Sequence, residues 1–329
     1  MPPPIRIVML GTGDFALPTF LHLCETGHQV VGLITQPDRP QGRKQELIPS
    51  RIKVEAQRLG IPIEQPEDVN APESLDRVCG LAPDLLVTAA YGQILSAGLL
   101  AIPRWGGINL HGSILPAYRG ASPVARAIQN GDLETGVTII RMTPKIDAGG
   151  IIAVARTPIG PDETAGELEG RLAALGAPLV AEAIASLIAG SAQVLPQEKA
   201  KVTKAPKLRK EDGLIDWSKP ARAVHDHVRA MQPWPTAFTF WYRREEPSRV
   251  PLRLIVSKTA VVDGRGAPGE VIASEADRLI VAAGQGAVRL ITIQPPGKKP
   301  MSVVDFLHGH RVATGDWMGG PGSSEALGG

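Results

Sequence analysis

Cysteine and aromatic residues are scarce in this chain of 329 residues. There are two cysteines, and Phe, Trp and Tyr together make up 4% of the residues. Two cysteines, Cys24 and Cys79, cannot supply a disulfide framework or a cysteine-rich metal cluster, and we expect both to be buried reduced thiols. No closely spaced set of His, Cys and carboxylate residues suggests a metal site, so none is predicted.

Long apolar runs are also lacking. The most apolar stretch, residues 177–189, is shorter than the ~18 residues of a membrane helix and contains Glu182. The amino terminus, Met-Pro-Pro-Pro-Ile-Arg, lacks the basic segment and apolar core of a secretory signal. With 43% hydrophobic and 21% charged residues, the sequence predicts a globular, cytoplasmic protein without membrane attachment, and its length predicts two domains.

The net charge is small but unevenly distributed. The whole chain carries a formal charge of +2. Residues 199–258 contain 14 Lys and Arg against 6 Asp and Glu, a local charge of +8 that leaves −6 elsewhere. A basic segment on a nearly neutral protein indicates a polyanionic partner, and a merely solvated basic surface is the alternative.

Strand and helix patterns alternate through the first half of the chain. The apolar run 5–10 leads into Gly11-Thr-Gly-Asp-Phe-Ala16, where a strand turns into a helix. Gly11, Gly13 and Ala16 also fit a relaxed dinucleotide-binding fingerprint, but Thr35 stands near the place where an acidic residue is expected. The alternation predicts an α/β domain with a Rossmann-like, mostly parallel sheet, and an NAD-dependent oxidoreductase is one alternative function.

The most informative stretch is Trp105 to Gly120, Trp-Gly-Gly-Ile-Asn-Leu-His-Gly-Ser-Ile-Leu-Pro-Ala-Tyr-Arg-Gly. Its first part fits a buried strand that places Asn109 and His111 on one face near its carboxyl end, where open α/β sheets bind ligands. Either residue alone is more often a satisfied polar residue than a catalyst. Asn109 offers an amide donor that suits an oxyanion and His111 an imidazole that can supply a proton, and the residues that follow them give the pair its weight.

Asn-x-His followed by Ser-Ile-Leu-Pro-x-x-Arg-Gly resembles the signature of the folate-dependent formyltransferases, which carry a formyl group from 10-formyltetrahydrofolate to an amine. An aspartate follows the histidine in that family, and Asp147 in Lys145-Ile-Asp-Ala-Gly-Gly150 has a compatible position. The resemblance implies that Asn109, His111 and Asp147 are catalytic, with Asp147 stabilising the protonated His111 and relaying the proton of the amine. It also implies a folate site formed by Ser113, Ile114, Leu115, Pro116, Tyr91 and Gly92.

Two basic segments resemble the parts of this family that contact tRNA. Thr-Gln-Pro-Asp-Arg-Pro-x-Gly-Arg, residues 35–43, is similar to a loop that grips the acceptor end of the initiator tRNA, although Gln45 and Glu46 stand where further lysines are common. Family members with a tRNA substrate carry an Ala-x-Lys-Leu segment similar to residues 205–208 before their second domain. The residues implied to contact tRNA are Arg39, Arg43, Lys44, Lys204 and Lys207.

The second half of the chain has the pattern of a small β-barrel. A helix predicted over residues 220–231 ends at Gln232-Pro-Trp-Pro235, and short strands follow at turn-separated intervals. The second domain of the family resembles an oligonucleotide-binding (OB) fold. We expect Trp234 and Trp241 in its core and His225 and His227 at its surface.

The predicted organisation is a catalytic domain at 1–189, a basic linker at 190–209, an OB-like tRNA-binding domain at 210–311 and a disordered tail at 312–329. The resemblance implies a monomer that formylates the α-amino group of methionine on initiator methionyl-tRNA, with folate as the other partner. A formyltransferase acting on glycinamide ribonucleotide or an amino sugar would share the same three catalytic residues. A non-catalytic tRNA-binding protein would not need them.

Overall fold

The computed structural model describes residues 4–41, 46–275 and 277–321, and the chain clusters into two compact units. The first unit comprises Met1–Val124, Glu134–Pro158 and Glu167–Lys207. The second comprises Ala125–Leu133, Ile159–Gly166 and Leu208–Gly329. Two short segments that precede residue 189 therefore cluster with the carboxyl-terminal part of the chain.

The strands and helices up to residue 188 are, in chain order, β1 (Arg6–Gly11), α1 (Gly13–Glu25), β2 (Gln29–Ile34), β3 (Pro40–Gln41), β4 (Glu46–Leu47), α2 (Arg51–Arg58), β5 (Ile63–Glu64), α3 (Pro72–Leu81), β6 (Leu85–Ala89), α4 (Ala97–Ala101), β7 (Gly107–His111), α5 (Pro123–Gln129), β8 (Glu134–Arg141), β9 (Ile151–Pro158) and α6 (Ala165–Ile188). Seven strands form one sheet in the order β5-β2-β1-β6-β7-β8-β9. The first five of these run parallel, whereas β8 is antiparallel to both of its neighbours. The mostly parallel sheet predicted from the sequence is confirmed.

The central strands of this sheet are apolar because both of their faces are covered. Ile7, Val8, Met9 and Leu10 of β1 are fully buried, as a parallel strand between two helical layers requires. Helix α6 is long and apolar enough to cross a membrane by length and composition alone, but a core helix passes the same test, and 44% of its apolar window is buried in the fold. A side chain at Gly176 of α6 would collide with Leu110, so this helix packs closely against β7.

The second unit contains, in chain order, α7 (Ala221–Ala230), β10 (Ala237–Tyr242), β11 (Leu252–Val262), β12 (Val271–Glu275), β13 (Arg278–Ala282), β14 (Ala287–Gln294), β15 (Met301–Ser302), α8 (Val303–Gly309) and β16 (Trp317–Gly319). Its antiparallel sheet has the order β12-β13-β14-β11-β10-β16, with β15 paired to β14. The two ends of this order meet, since the Met318 N–H donates to the Gly269 carbonyl at 2.7 Å and the Val271 N–H to the Asp316 carbonyl at 2.8 Å. The sheet is therefore a nearly closed barrel, as predicted.

The strand β16 corrects the predicted disordered tail. Its residues pair with β10, and the Trp241 indole N–H donates to the buried Asp316 carboxylate at 2.8 Å. The prediction of disorder from residue 312 is wrong for residues 312–321, because this pairing needs them. Residues 322–329 lie outside the described part of the chain.

Three further predictions of burial or exposure are wrong. His225 is buried, with Nδ1 3.0 Å from the Thr259 hydroxyl and Nε2 3.3 Å from the Pro161 carbonyl, and His227 is half-buried. Trp241 is a core residue as expected, but Trp234 is 49% exposed in the turn that follows α7. Cys79 is exposed and Cys24 is only partly buried.

Candidate active site

A cleft of about 390 Å³ lies within the first unit, at the carboxyl ends of β6 and β7. This volume is in the range of ligand pockets, roughly 300–1,000 Å³. Asn109 and His111 line the cleft from β7, and Asp147 lines it from the loop after β8. The structure thus brings together the three residues that the signature singled out.

The Asn109 amide is oriented by the neighbouring strand. The register of β6 and β7 places Thr88 opposite Asn109, and the Thr88 hydroxyl donates to the Asn109 Oδ1 atom at 2.6 Å. This bond fixes Oδ1 as the amide oxygen. The two N–H donors of Nδ2 have no hydrogen-bond partner among the described residues and remain available to a ligand. Thr88 was not identified from the sequence, although a buried polar residue near the end of an otherwise apolar strand is a usable signal.

His111 is 6% exposed and held by a backbone carbonyl. Its Nε2 atom lies 2.9 Å from the Tyr118 carbonyl oxygen. Because a carbonyl only accepts, Nε2 carries a proton, and Nδ1 is left as the nitrogen that can exchange one. Nδ1 lies 3.6 Å from the Asp147 Oδ2 atom, which is too long for a hydrogen bond but close enough for strong electrostatic interaction.

Asp147 sits on a tightly constrained loop. Its φ angle is +47°, in the left-handed region that aspartate tolerates better than most residues. Its Oδ2 atom accepts the Gly120 N–H at 2.8 Å. Gly149 has no room for a side chain, since a Cβ atom there would lie 1.6 Å from the Arg141 carbonyl oxygen. The loop therefore holds one carboxylate in a fixed place beside the imidazole.

The residues implied to form the folate site fall into two groups. Tyr91 and Gly92 line the cleft, where the chain turns with positive φ angles at Ala90 and Gly92. Burial raises the pKa of the Tyr91 hydroxyl well above its usual range. In contrast, residues 113–116 are not among the residues that line the cleft.

The segment 113–116 is attached to β8 instead. The Thr138 hydroxyl on β8 donates to the Ser113 carbonyl at 2.6 Å and accepts the Leu115 N–H at 3.0 Å. Ser113 and Leu115 are buried, and Ile114 and Pro116 are half-buried. Ser113 and Leu115 are therefore attached to β8 beside the strand end that carries His111, and a folate role for residues 113–116 stays a prediction.

The mouth of the cleft is apolar and exposed. Ile94 is 53% exposed and Ile146 is 57% exposed, and both line the cleft. The Glu169 carboxyl on α6 also lines it, and desolvation raises the pKa of this group. Exposed apolar side chains in a concave site indicate a ligand, and a flat heteroaromatic ring with polar edges, such as that of a folate, fits this combination.

Of the residues implied to contact tRNA, Arg39 lies on the loop after β2, and Lys204 and Lys207 lie on the linker. The Arg39 side chain is 70% exposed, and its Nη2 atom lies 3.6 Å from the Glu67 carboxylate, whose side chain is 80% exposed. Next to it, a hydrogen bond from Lys53 holds the pKa of Asp38 below its ordinary value and fixes the base of the loop. Lys204 and Lys207 are exposed on the linker, whereas Arg43 and Lys44 lie outside the described residues.

Two other kinds of cofactor site find no support. Within residues 4–41, 46–275 and 277–321, no group of three or more His, Cys, Asp and Glu side chains could hold a metal ion. At the end of β2, Thr35 is fully buried and lies 3.2 Å from the Thr12 hydroxyl. The position that would carry an acidic residue in a dinucleotide site is therefore used for internal packing.

The chain belongs to the formyl transferase family. Residues 5–184 match the family described as Formyl transferase, and residues 207–311 match the one described as Formyl transferase, C-terminal domain. Among curated relatives named Methionyl-tRNA formyltransferase, that of Citrifermentans bemidjiense is 43% identical over 315 residues, covering 96% of each chain. That of Bacillus subtilis is 41% identical, covering 95% of this chain and 98% of its own. The family expected from the signature is confirmed.

Solved structures share the fold at lower identity. An N-formyltransferase from Helicobacter canadensis, in complex with folinic acid and dTDP-3-aminofucose, has a TM-score of 0.62 and 15% identity, with 89% of this chain and all of that chain covered. HypX from Aquifex aeolicus, in complex with tetrahydrofolic acid, has a TM-score of 0.62 and 16% identity. The match covers 93% of this chain and 47% of the HypX chain.

Proposed function

We propose that this protein transfers the formyl group of 10-formyltetrahydrofolate to the α-amino group of methionine on initiator methionyl-tRNA. The observation that carries the proposal is the match to methionyl-tRNA formyltransferases over nearly the full length of both chains, together with a cleft that contains Asn109, His111 and Asp147. Both family domains are present, so the likeness is not confined to the formyl-transfer part.

When bound, 10-formyltetrahydrofolate supplies a formyl group on a nitrogen that leaves. We assign its ring to the part of the cleft between Tyr91, Gly92 and Ile146. The Nδ2 hydrogens of Asn109 donate to the formyl oxygen as negative charge develops on it. One such donor contributes about 2.7–4 kcal/mol to the stabilisation of a transition state.

His111 and Asp147 handle the protons. Because His111 Nε2 is bound to the Tyr118 carbonyl, His111 supplies a proton from Nδ1 to the leaving nitrogen. Asp147 stabilises the positively charged imidazole from 3.6 Å. Its Oδ1 atom has no protein partner within the described residues and can accept the proton of the attacking amine, directly or through water.

We assign tRNA binding to the loop that carries Arg39, Arg43 and Lys44, to Lys204 and Lys207 of the linker, and to the barrel. The barrel has exposed arginines, among them Arg253, whose guanidinium lies 4.0 Å from the centre of the Phe238 ring. Arginine side chains can bind phosphates, and neighbouring aromatic rings can stack on bases, so this pairing is suited to binding nucleic acid. In this assignment residues 1–189 carry the chemistry, residues 190–209 and 210–311 hold the tRNA, and the enzyme works as a cytoplasmic monomer.

The proposal is tested by offering the enzyme 10-formyltetrahydrofolate with four separate acceptors: methionyl initiator tRNA, free methionine, glycinamide ribonucleotide and a nucleotide-linked amino sugar. We expect formylation of the charged tRNA at a rate at least a hundredfold above that of the small amines. A higher rate with a small amine would refute the acceptor while keeping the reaction. No transfer to any acceptor would refute the function.

A further inference from the structure

The linker between the two family domains is part of the architecture of the cleft. Gln197 lies on this linker and makes hydrogen bonds in two directions. Its Nε2 group donates to the carbonyl oxygens of Asp147 and Gly149, at 2.8 and 2.7 Å. Its Oε1 atom accepts from Nε and Nη2 of Arg119, at 3.0 and 2.6 Å. One side chain therefore connects the loop of Asp147 to the loop that follows β7.

A second contact of the linker reaches His111. The Tyr118 N–H donates to the Thr203 hydroxyl at 2.8 Å, and the Tyr118 carbonyl binds His111 Nε2 at 2.9 Å. Around it, the Arg119 N–H donates to the Thr203 carbonyl at 2.9 Å and the Ala205 N–H to the Arg119 carbonyl at 2.7 Å. The linker thus pairs like a short strand with residues 118–120.

The segments held in this way are strained. Tyr118 has a φ angle of +63° and Asp147 one of +47°, and neither is glycine. A bulky residue in the left-handed region is unfavourable and persists only where the surroundings impose it. Gly120, which donates to the Asp147 carboxylate, lies so close to the linker that a Cβ atom there would be 2.5 Å from the Ala205 carbonyl oxygen. The linker contacts the chain at each of these three residues.

We propose that residues 197–205 form a positioning clamp, in which Gln197 fixes Asp147 and Thr203 fixes the Tyr118 carbonyl that orients His111. These residues act through others and do not touch the reacting atoms. The clamp rests on the function proposed above, because it deepens the roles given there to His111 and Asp147. It also gives the linker a role in the chemistry in addition to its lysines.

The test compares three variants with the wild type in steady-state kinetics. Gln197→Ala removes the clamp contact from both loops. Gln197→Glu keeps an oxygen that accepts from Arg119, and its negative charge strengthens that hydrogen bond. It loses the N–H donors to the carbonyl oxygens of Asp147 and Gly149. Gln193→Ala changes an exposed glutamine of the same linker and is the matched control.

We expect both Gln197 variants to lower kcat about tenfold to a hundredfold, the size of effect that a displacement of about 1 Å causes. The KM for the charged tRNA should stay within about twofold, because the lysines of the linker are unchanged. Gln197→Glu keeps the bonds to Arg119 but loses two others, so its melting temperature should fall by a few degrees while the protein stays folded at the assay temperature, which separates positioning from stability. Gln193→Ala should behave as the wild type.

A kcat within twofold of wild type for Gln197→Glu would overturn the proposal, as would a loss that appears only in KM. If Gln197→Ala does not fold, Thr203→Val replaces it, since that change removes one exposed hydroxyl and should also lower kcat. Activity is expressed relative to the wild type on whichever amine the wild type uses. If the proposed acceptor is wrong, the wild type itself will fail to formylate the charged tRNA. If the proposed clamp is wrong, the ratio of variant kcat to wild-type kcat will stay near one on whichever amine is used.

Discussion

The hydrogen bond between Thr88 and Asn109 allows the role of the amide to be tested quantitatively. Asn109→Ala removes the N–H donors that face the cleft, so it should lower kcat by about a hundredfold to a thousandfold, the equivalent of 2.7–4 kcal/mol for one oxyanion donor. Thr88→Val keeps the volume and shape of the buried side chain but removes the donor to Asn109 Oδ1 at 2.6 Å. A typical hydrogen bond has a net contribution of about 1 kcal/mol, so Thr88→Val should lower kcat about fivefold.

The double variant decides whether Thr88 acts through Asn109. If it does, Thr88→Val should have almost no further effect on kcat once Asn109 is alanine, and the two effects should not add. The assay is single-turnover formylation at saturating substrate, which isolates the chemical step. Additive effects, or a kcat of Asn109→Ala within tenfold of wild type, would refute the assignment of Asn109 to the formyl oxygen.

Two further predictions concern the loop after β2. Arg39→Glu should raise the apparent dissociation constant for tRNA and lower the slope of its dependence on log salt by about 0.7–0.9, the contribution of one phosphate contact. Arg77→Glu, which changes another exposed arginine, should alter neither value, and an unchanged slope for Arg39→Glu would remove Arg39 from the interface. Lys53→Met should lower the melting temperature at pH 7, because Lys53 holds the pKa of Asp38 below its ordinary value of 3.8 in the folded protein. The stability that this shift contributes is fully present above pH 3.8 and is lost as the pH falls through the lower folded pKa. The difference from wild type should therefore shrink below pH 3.8, and a constant difference would contradict the linkage.

Much of the fold follows from local patterns. The sequence predicted short, turn-separated strands in the second half of the chain, of which β10 and β11 are two, and it placed Asn109 and His111 on one face of β7. These features depend on periodicity within a few residues, which the sequence shows directly. Asp147 could not be placed in this way, and only the resemblance to a family indicated that it would lie beside His111.

What the sequence could not predict depends on contacts between distant residues. Gln197 binds the carbonyl of a residue 50 positions earlier, and its own neighbours read as an ordinary polar linker. His225 is buried because Pro161 and Thr259, both far away in sequence, satisfy its two nitrogens. The attachment of Ser113 and Leu115 to Thr138 is likewise invisible until β8 is placed next to β7, and the folate role of residues 113–116 stays a prediction.

The central claim is that the cleft of Asn109, His111 and Asp147 formylates the amine of a charged tRNA. It is tested most directly by single-turnover transfer from 10-formyltetrahydrofolate to methionyl initiator tRNA, with wild type, His111→Ala and Asp147→Asn. We expect rapid formylation by the wild type and rates lower by at least a hundredfold in each variant, with wild-type melting temperatures and tRNA affinities. Near-wild-type transfer by either folded variant would contradict the account.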